Sequence, residues 1–427
     1  MIARRAGAHL RRAAAAAAAP VARTGAWRHA TTLNNVAADD LFDPATFEGT
    51  RRPLAEGATA LPGGVYTSQA WYEAELKNVF APNWLLIGRT DELAEPGSYI
   101  TLDAPGVGPV FAIRDKQGGV RAFANVCRHR GAVLLRDEHG RVGGKARNIV
   151  CPYHAWAYGL DGRLKNAPEC KPGGKLAPAC FDKKEHPLLE VRLEEHRGFL
   201  FVNGAGDAAK SLADSLGNCP ELVLDRWPFE DFVTAGRKEY IVDCNWKFLF
   251  ENTSETYHTS YVHAGSLGQM DSSPVADAVG AAPVGDWDAV HVPGEQSVVP
   301  LPGERAPFAN VASETFFVNL FPSLQLNVTH DCAWWMRMLP LGVDKTKVTQ
   351  GFLFPKETAA RGSFEADAGH YYFRWDLAVR EDNDISENQQ RGASSAAYRP
   401  GPYNGLEFAT HKFDKYVVDK VLGLEDE

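Results

Sequence analysis

Short runs of alternating apolar and polar residues fill the first half of the chain. Trp84–Gly88, Tyr99–Asp103, Val110–Arg114 and Val120–Asn125 read as strands, with Gln117-Gly118-Gly119 as a turn. Asp161-Gly162, between Ala157–Leu160 and Arg163–Leu164, signals a short hairpin. Leu188–Leu193 and Gly198–Val202 resume the strands after a loop-like stretch, 166–187, that contains Pro, Gly and Lys. One helical stretch, Ala70–Val79, comes before them. This pattern predicts a small antiparallel β domain. The second half has longer elements. Lys238–Val242 reads as a strand and Trp246–Tyr257 as a helix. Phe316–Val328, Ala333–Leu339 and Lys347–Phe354 read as three long strands, and Phe364–Gln390 and Phe408–Leu422 as long helices. Residues 264–312, rich in Gly, Pro, Ala and Ser, have the least regular pattern. A sheet covered by long helices is an α+β layer arrangement.

Composition narrows the class. The chain has 427 residues, 44% hydrophobic and 23% charged, which excludes a fully disordered protein and suggests two or three domains. Net charge is −9, and the first 35 residues hold six Arg and no acid, so the remainder carries −15. Such an acidic body argues against nucleic acid as a partner. It suits a basic electron donor, although solubility explains it equally well. No apolar run is long enough to span a membrane. Seven cysteines, odd in number and sparse, argue against a disulfide framework. The Ala- and Arg-rich, acid-free residues 1–35 have the pattern of a transit peptide. The expected address is the mitochondrion, with the chloroplast as the alternative and a plain Ala-rich extension as the simplest reading.

Two constellations carry chemistry. The first is Cys127-x-His129 followed, after 21 residues, by Cys151-x-x-His154. Two short loops each supply one thiolate and one imidazole. Four such donors can close a tetrahedral zinc site, or hold a two-iron cluster with both cysteines on one iron and both histidines on the other. Both pairs lie on loops between strands rather than on a helix. Imidazole in place of thiolate raises a cluster's potential by roughly several hundred millivolts, and leaves ring N–H groups free to meet an acceptor.

The second constellation is His258 and His263, within DCNWKFLFENTSETYHTSYVH. Five residues on a straight helix turn the second side chain roughly 140° from the first. Both face one ion only if the helix breaks, and Thr259 and Ser260 permit that. Glu255 precedes His258 by three residues, on the same predicted helical face. A carboxylate from REDNDISENQQRG, residues 380–392, would complete a two-histidine, one-carboxylate site with open positions, the arrangement of a non-haem ferrous centre.

The residues NVCRHRG and VCPYHAW, with Pro152, Tyr153 and Trp156, resemble the Rieske iron–sulfur motif. The gap is longer than usual, and Asp137–Ala146, polar and Gly-rich, would absorb the excess in a surface hairpin. The pairing of NWKFLFENTSETYHTSYVH with EDNDISENQQRG resembles the catalytic domain of Rieske non-haem iron oxygenases. That family includes the α subunits of aromatic-ring-hydroxylating dioxygenases and the choline and carnitine monooxygenases. Over roughly residues 60–425 the resemblance implies an N-terminal all-β Rieske [2Fe-2S] domain, 50–205, and a helix-grip-type catalytic domain, 206–427. It implies Cys127, His129, Cys151 and His154 as cluster ligands, and His258, His263 and Asp382 as ligands of a mononuclear Fe(II), with Asp384 as the alternative carboxylate. Glu255 matches the acid that bridges a Rieske histidine to an iron histidine across a subunit boundary. Asn252 and Tyr257 are candidates to support the iron, although Tyr257 reads more simply as a core residue. Thr253, Thr256 and Thr259 depart from residues common in parts of the family, which blurs the branch.

These residues imply an oxygenase that uses O2. Its electrons would come from a separate ferredoxin or flavin-dependent reductase, since the chain has no nicotinamide or flavin motif. The resemblance also implies a homotrimer. A Rieske electron carrier without oxygenase activity and a zinc-stabilised binding module are the readings of other classes. The aromatic residues Trp287, Phe316, Phe317, Trp334, Trp335, Tyr371, Tyr372 and Trp375 read mostly as core, and some of them can line a ring pocket or an ammonium cage. Glu at the bridging position, together with the leader, favours choline or a related quaternary ammonium substrate, with an aromatic acid as the alternative.

Overall fold

The computed structural model describes residues 38–137, 143–168, 170, 181–267, 271–293 and 314–424. The leader, residues 1–35, lies outside them, as does much of the Asp137–Ala146 insertion. The described residues form one compact unit.

The first half folds around an antiparallel sheet in the order Leu85–Arg89, Phe199–Asn203, Glu190–His196, Val120–Ala124, Gly108–Arg114, Ser98–Ala104, Gly144–Lys145. A three-stranded sheet of Ile149–Val150, Ala157–Tyr158 and Leu164–Asn166 stands beside it. The predicted hairpin turns at Asp161-Gly162. Gly162 takes φ +77°, and a Cβ there would meet the ring of Phe123.

The second half holds an antiparallel sheet in the order Phe232–Val242, Lys345–Pro355, Ala333–Gly342, Leu324–Val328, Glu314–Leu320, Trp287–Pro293, Ser273–Pro274. The single strand expected over Phe316–Val328 is two strands paired as a hairpin, Phe316 opposite Val328. Pro322 lies at the turn between them, where its missing N–H costs no ladder bond. Trp287–Pro293 is a strand inside the stretch that reads as least regular; Trp287 and Ala289 on one face are fully buried.

Helix Trp246–Thr253 is shorter than expected. Asn245 caps its start by accepting from the Lys247 N–H. At its end the hydroxyls of Thr253 and Ser254 both donate to the Phe250 carbonyl, at 3.1 and 2.6 Å. This side-chain bonding competes with continuation of the helix. The long helix Phe364–Ala393 packs Tyr371 and Trp375 on Phe354 and Phe352 of the sheet. Near its other end Gln390 accepts from the Asn245 N–H at 2.8 Å, which ties it to the histidine-bearing segment.

Residues before the first sheet pack on the second half. Lys247 is fully buried, and its ammonium reaches Glu75 at 2.6 Å, Asn245 Oδ1 at 2.8 Å and the Val65 carbonyl at 3.0 Å. Trp71 and Trp246 each donate an indole N–H to Glu75 at 2.9 Å. The buried pair therefore has its hydrogen-bonding needs met on both sides, which is the condition for tolerating it in a core.

Candidate metal centres

The cluster-type loops fold as two tight turns facing each other. The Cys127 carbonyl accepts from Gly131 N, and the Cys151 carbonyl accepts from Ala155 N. Gly131 and Ala155 both take positive φ, +73° and +55°. For Ala155 this is a strained conformation of the kind held at functional sites. Cys127 and Cys151 are buried, each 3% exposed, while His129 and His154 are exposed. The imidazoles lie 4.8 Å apart between centroids, and His129 stacks on Trp156 at 4.9 Å. The Tyr158 hydroxyl lies 3.4 Å from Cys127 Sγ and accepts from Arg128 N. Burial and the neighbouring thiol raise the Tyr158 pKa well above its ordinary value. The donors thus divide into a buried thiol pair and a surface imidazole pair, the division that a two-iron cluster uses, one pair on each iron.

The second centre gathers three donors. The ligand atoms of His258, His263 and Asp382 all lie within 4.8 Å of one another. The helix does break, but before His258 rather than at Thr259 and Ser260. His258 caps the start of the single turn Thr259–Val262 and His263 caps its end, at φ −98° and ψ 22°, outside helical values. That departure swings the second imidazole round to the first. Glu255 lies in the break and not on a helical face. Its carboxylate accepts from His258 N at 3.1 Å, from Tyr257 N, and meets His258 Nδ1. Glu381, which the sequence reading missed, does the same for the other imidazole, accepting from His263 Nδ1 at 2.7 Å and from Ser266 Oγ at 2.5 Å.

With each Nδ1 held by a carboxylate, both Nε2 atoms turn to Asp382. Its Oδ1 lies 2.9 Å from His263 Nε2 and 3.5 Å from His258 Nε2. Yet that oxygen is buried with no aligned hydrogen bond. Three ligand atoms converge on a common point, as a cation site requires. In the metal-free protein burial lowers the His258 pKa, but Asp382 and Glu255 outweigh it and push it up to about 10. His263 is raised for the same reason, and Asp382 is lowered by the two imidazoles despite its burial. Asp384 is exposed and stands apart from the group. Tyr257, read as a core residue, is 51% exposed beside Tyr261.

A cavity opens over this group. Asn252 lines it, with its Oδ1 buried and unpartnered. Of the eight aromatic residues singled out from the sequence, Phe317, Trp334 and Trp375 reach the cavity. Trp287, Phe316, Trp335 and Tyr371 are core.

Residues 83–187 match the family model of the Rieske [2Fe-2S] domain, and residues 229–423 that of the ring hydroxylating alpha subunit (catalytic domain). The carnitine monooxygenase oxygenase subunit of Escherichia coli K12 is 33% identical over 348 residues, which are 80% of this chain and 86% of that protein. The chain belongs to the Rieske non-haem iron oxygenases. The glycine betaine monooxygenase oxygenase subunit of Chromohalobacter salexigens is 29% identical over 405 residues, covering 87% of this chain and 88% of that one. Among solved structures, the quaternary ammonium Rieske monooxygenase CntA with L-carnitine aligns at TM-score 0.71 and 26% identity, over 85% of this chain and 96% of that chain. Members of the family carry the [2Fe-2S] cluster and the mononuclear iron, so this oxidoreductase is an iron enzyme with both cofactors. The expected organellar address is corrected: these relatives are proteins of bacteria, which have no organelle for a leader to address. An Arg-rich, acid-free segment specifies a basic helix at most, and that property alone names no compartment.

Proposed function

We propose that this Rieske oxygenase is the oxygenase component of a monooxygenase for a small quaternary ammonium compound. In this reading Cys127, His129, Cys151 and His154 hold the cluster, and His258, His263 and Asp382 hold the ferrous ion. The observation that carries it is the cavity over the three donors, with Phe317, Trp334 and Trp375 in its wall. Trp375 is itself stacked on Phe352 and packed on Trp334, so Trp334 and Phe317 are the rings to attract a methylated ammonium group through cation–π contact. The printed activities of the relatives, on glycine betaine and carnitine, point the same way.

When bound, the cluster supplies single electrons and the iron offers an open face to dioxygen. The chain's own residues do the rest. Glu255 and Glu381 fix the histidine tautomers by holding the protons on Nδ1, which leaves each Nε2 lone pair for the metal. Asp382 supplies the negative charge. The cavity wall keeps bulk water from the reacting centre. Electrons come from a separate ferredoxin or flavin-dependent reductase. The assembly is a homotrimer in which Glu255 meets a neighbouring copy's exposed cluster histidines. The exposed His129 and His154, and the position of Glu255 against His258, support that arrangement. The chain divides near residue 205 into cluster-bearing and iron-bearing parts.

Oxygen uptake by the holoenzyme with a generic reductase, screened over choline, carnitine, betaines and aromatic acids, tests the reading. The expected result is uptake coupled to product with ammonium compounds. Uptake coupled to an aromatic acid and absent with every ammonium compound would overturn it.

A further inference from the structure

We infer that Arg374 anchors a carboxylate on the substrate, so that the cavity takes an ammonium carboxylate, a betaine-type zwitterion, in preference to choline. This inference rests on the reading of the cavity as the substrate site and goes on to name the second charge the substrate must carry.

Arg374 lines the cavity from the long helix, eight residues before Asp382. Eight residues advance the helix about 12 Å along its axis and turn it about 80°, and both side chains line the one cavity. That axial offset suits a molecule a few bonds long held between the two. Among the described residues no carboxylate pairs with Arg374, although Arg380 on the same helix pairs with Asp376 at 3.1 Å. Arg374 Nε is buried with no partner. Burial lowers its pKa, and no neighbouring acid offsets that shift. Gln350, fully buried on the cavity wall, also leaves its amide nitrogen and oxygen unpartnered.

Arg374 is half-buried, and a partly desolvated guanidinium with no counter-charge carries a cost. Its planar fork matches a carboxylate, so a bound carboxylate would remove that cost through paired, charge-assisted hydrogen bonds. The Gln350 amide adds a donor on the same wall. Trp334 and Phe317, on the wall of the same cavity, accept the methylated ammonium. Choline has a neutral hydroxymethyl group where a betaine has its carboxylate. It would leave the Arg374 guanidinium without an anion.

The test is equilibrium binding to the holoenzyme by calorimetry, using glycine betaine, carnitine, choline and benzoate as probes. Wild type is compared with Arg374→Gln and Arg374→Lys. Unchanged cluster and iron spectra establish that each variant is folded and loaded. Loss of a buried, hydrogen-bonded charge pair weakens binding by about thirty-fold or more. Arg374→Gln is expected to lose that much for glycine betaine and carnitine, with choline unchanged or tighter. Arg374→Lys, which keeps the charge without the fork, should fall between. Wild type binding choline as tightly as the betaines, or Arg374→Gln weakening choline and betaine alike, would overturn the anchor and leave the ammonium reading intact. Binding of benzoate alone would overturn both the zwitterion and the ammonium reading. Binding of none of the carboxylates would overturn the inference as well.

Discussion

At the cluster loops the thiols are buried and the imidazoles of His129 and His154 stand at the surface; at the three-donor site His263 is 2% exposed and the donors lie at the floor of a cavity. The support differs too. Backbone turns, two residues at positive φ and a Tyr158 hydroxyl shape the first centre. Side-chain carboxylates from a helix break and a long helix shape the second. A relay must expose one edge to a partner. An oxygen-activating site must hold its metal rigidly while leaving coordination positions open and shielded. In each case the placement of the imidazoles follows from the task.

The sharpest way to break this contrast is to remove one centre at a time. Asp382→Ala should lose the mononuclear iron and essentially all product formation, leaving about two irons per chain and the cluster's visible spectrum. Cys151→Ser should do the opposite, leaving about one iron and no cluster spectrum. Metal analysis and absorption spectra check both, and if either substitution empties both centres they are not independent. Glu381→Gln should weaken iron binding by about 10–100-fold in a chelator titration, with the cluster unaffected. An unchanged affinity would mean that His263 needs no outside support.

Proton competition should separate the centres next. In the metal-free protein His258 and His263 both have raised pKa values, so their protonated forms contribute stability that is fully present below the unfolded value of about 6.5. For His258 that contribution is lost as pH rises through about 10. Ferrous ion must displace those protons. Its affinity should therefore rise with pH, about tenfold per unit for each proton released. A pH-independent affinity would contradict the protonated state. The smallest effect is expected from Tyr158→Phe. Loss of the bond to Cys127 Sγ should lower the cluster potential by about 20–65 mV, a net hydrogen bond of about 0.5–1.5 kcal/mol converted at one electron. A potentiometric titration measures it.

The two centres were not equally legible in the sequence. Cys127, His129, Cys151 and His154 sit on two short, local motifs, so spacing alone marked them. His258 and His263 marked a metal only weakly, because convergence needs a break in the helix whose position depends on how Thr253 and Ser254 bond backward. Glu381 was hidden among the acids of 380–392, since nothing in a single sequence says which of them turns inward. Adjacency to the predicted ligand Asp382 was the only available cue. The strand Trp287–Pro293 was masked by the Gly- and Pro-rich residues around it, and the hairpin at Pro322 by a continuous apolar run. Proline inside that run was the signal for two strands.

The anchoring of Glu75 on Lys247 also bears on the order of the parts along the chain. Described residues before Phe80 pack on the second half, and the strands Leu85–Arg89 and Phe199–Asn203, which flank the cluster loops in sequence, share a core with it. The electron-carrying part is thus stitched in at both ends, like a loop inserted into a host. A fragment starting at residue 206 would lack Trp71 and Glu75, leaving the Lys247 ammonium stranded in an apolar interior.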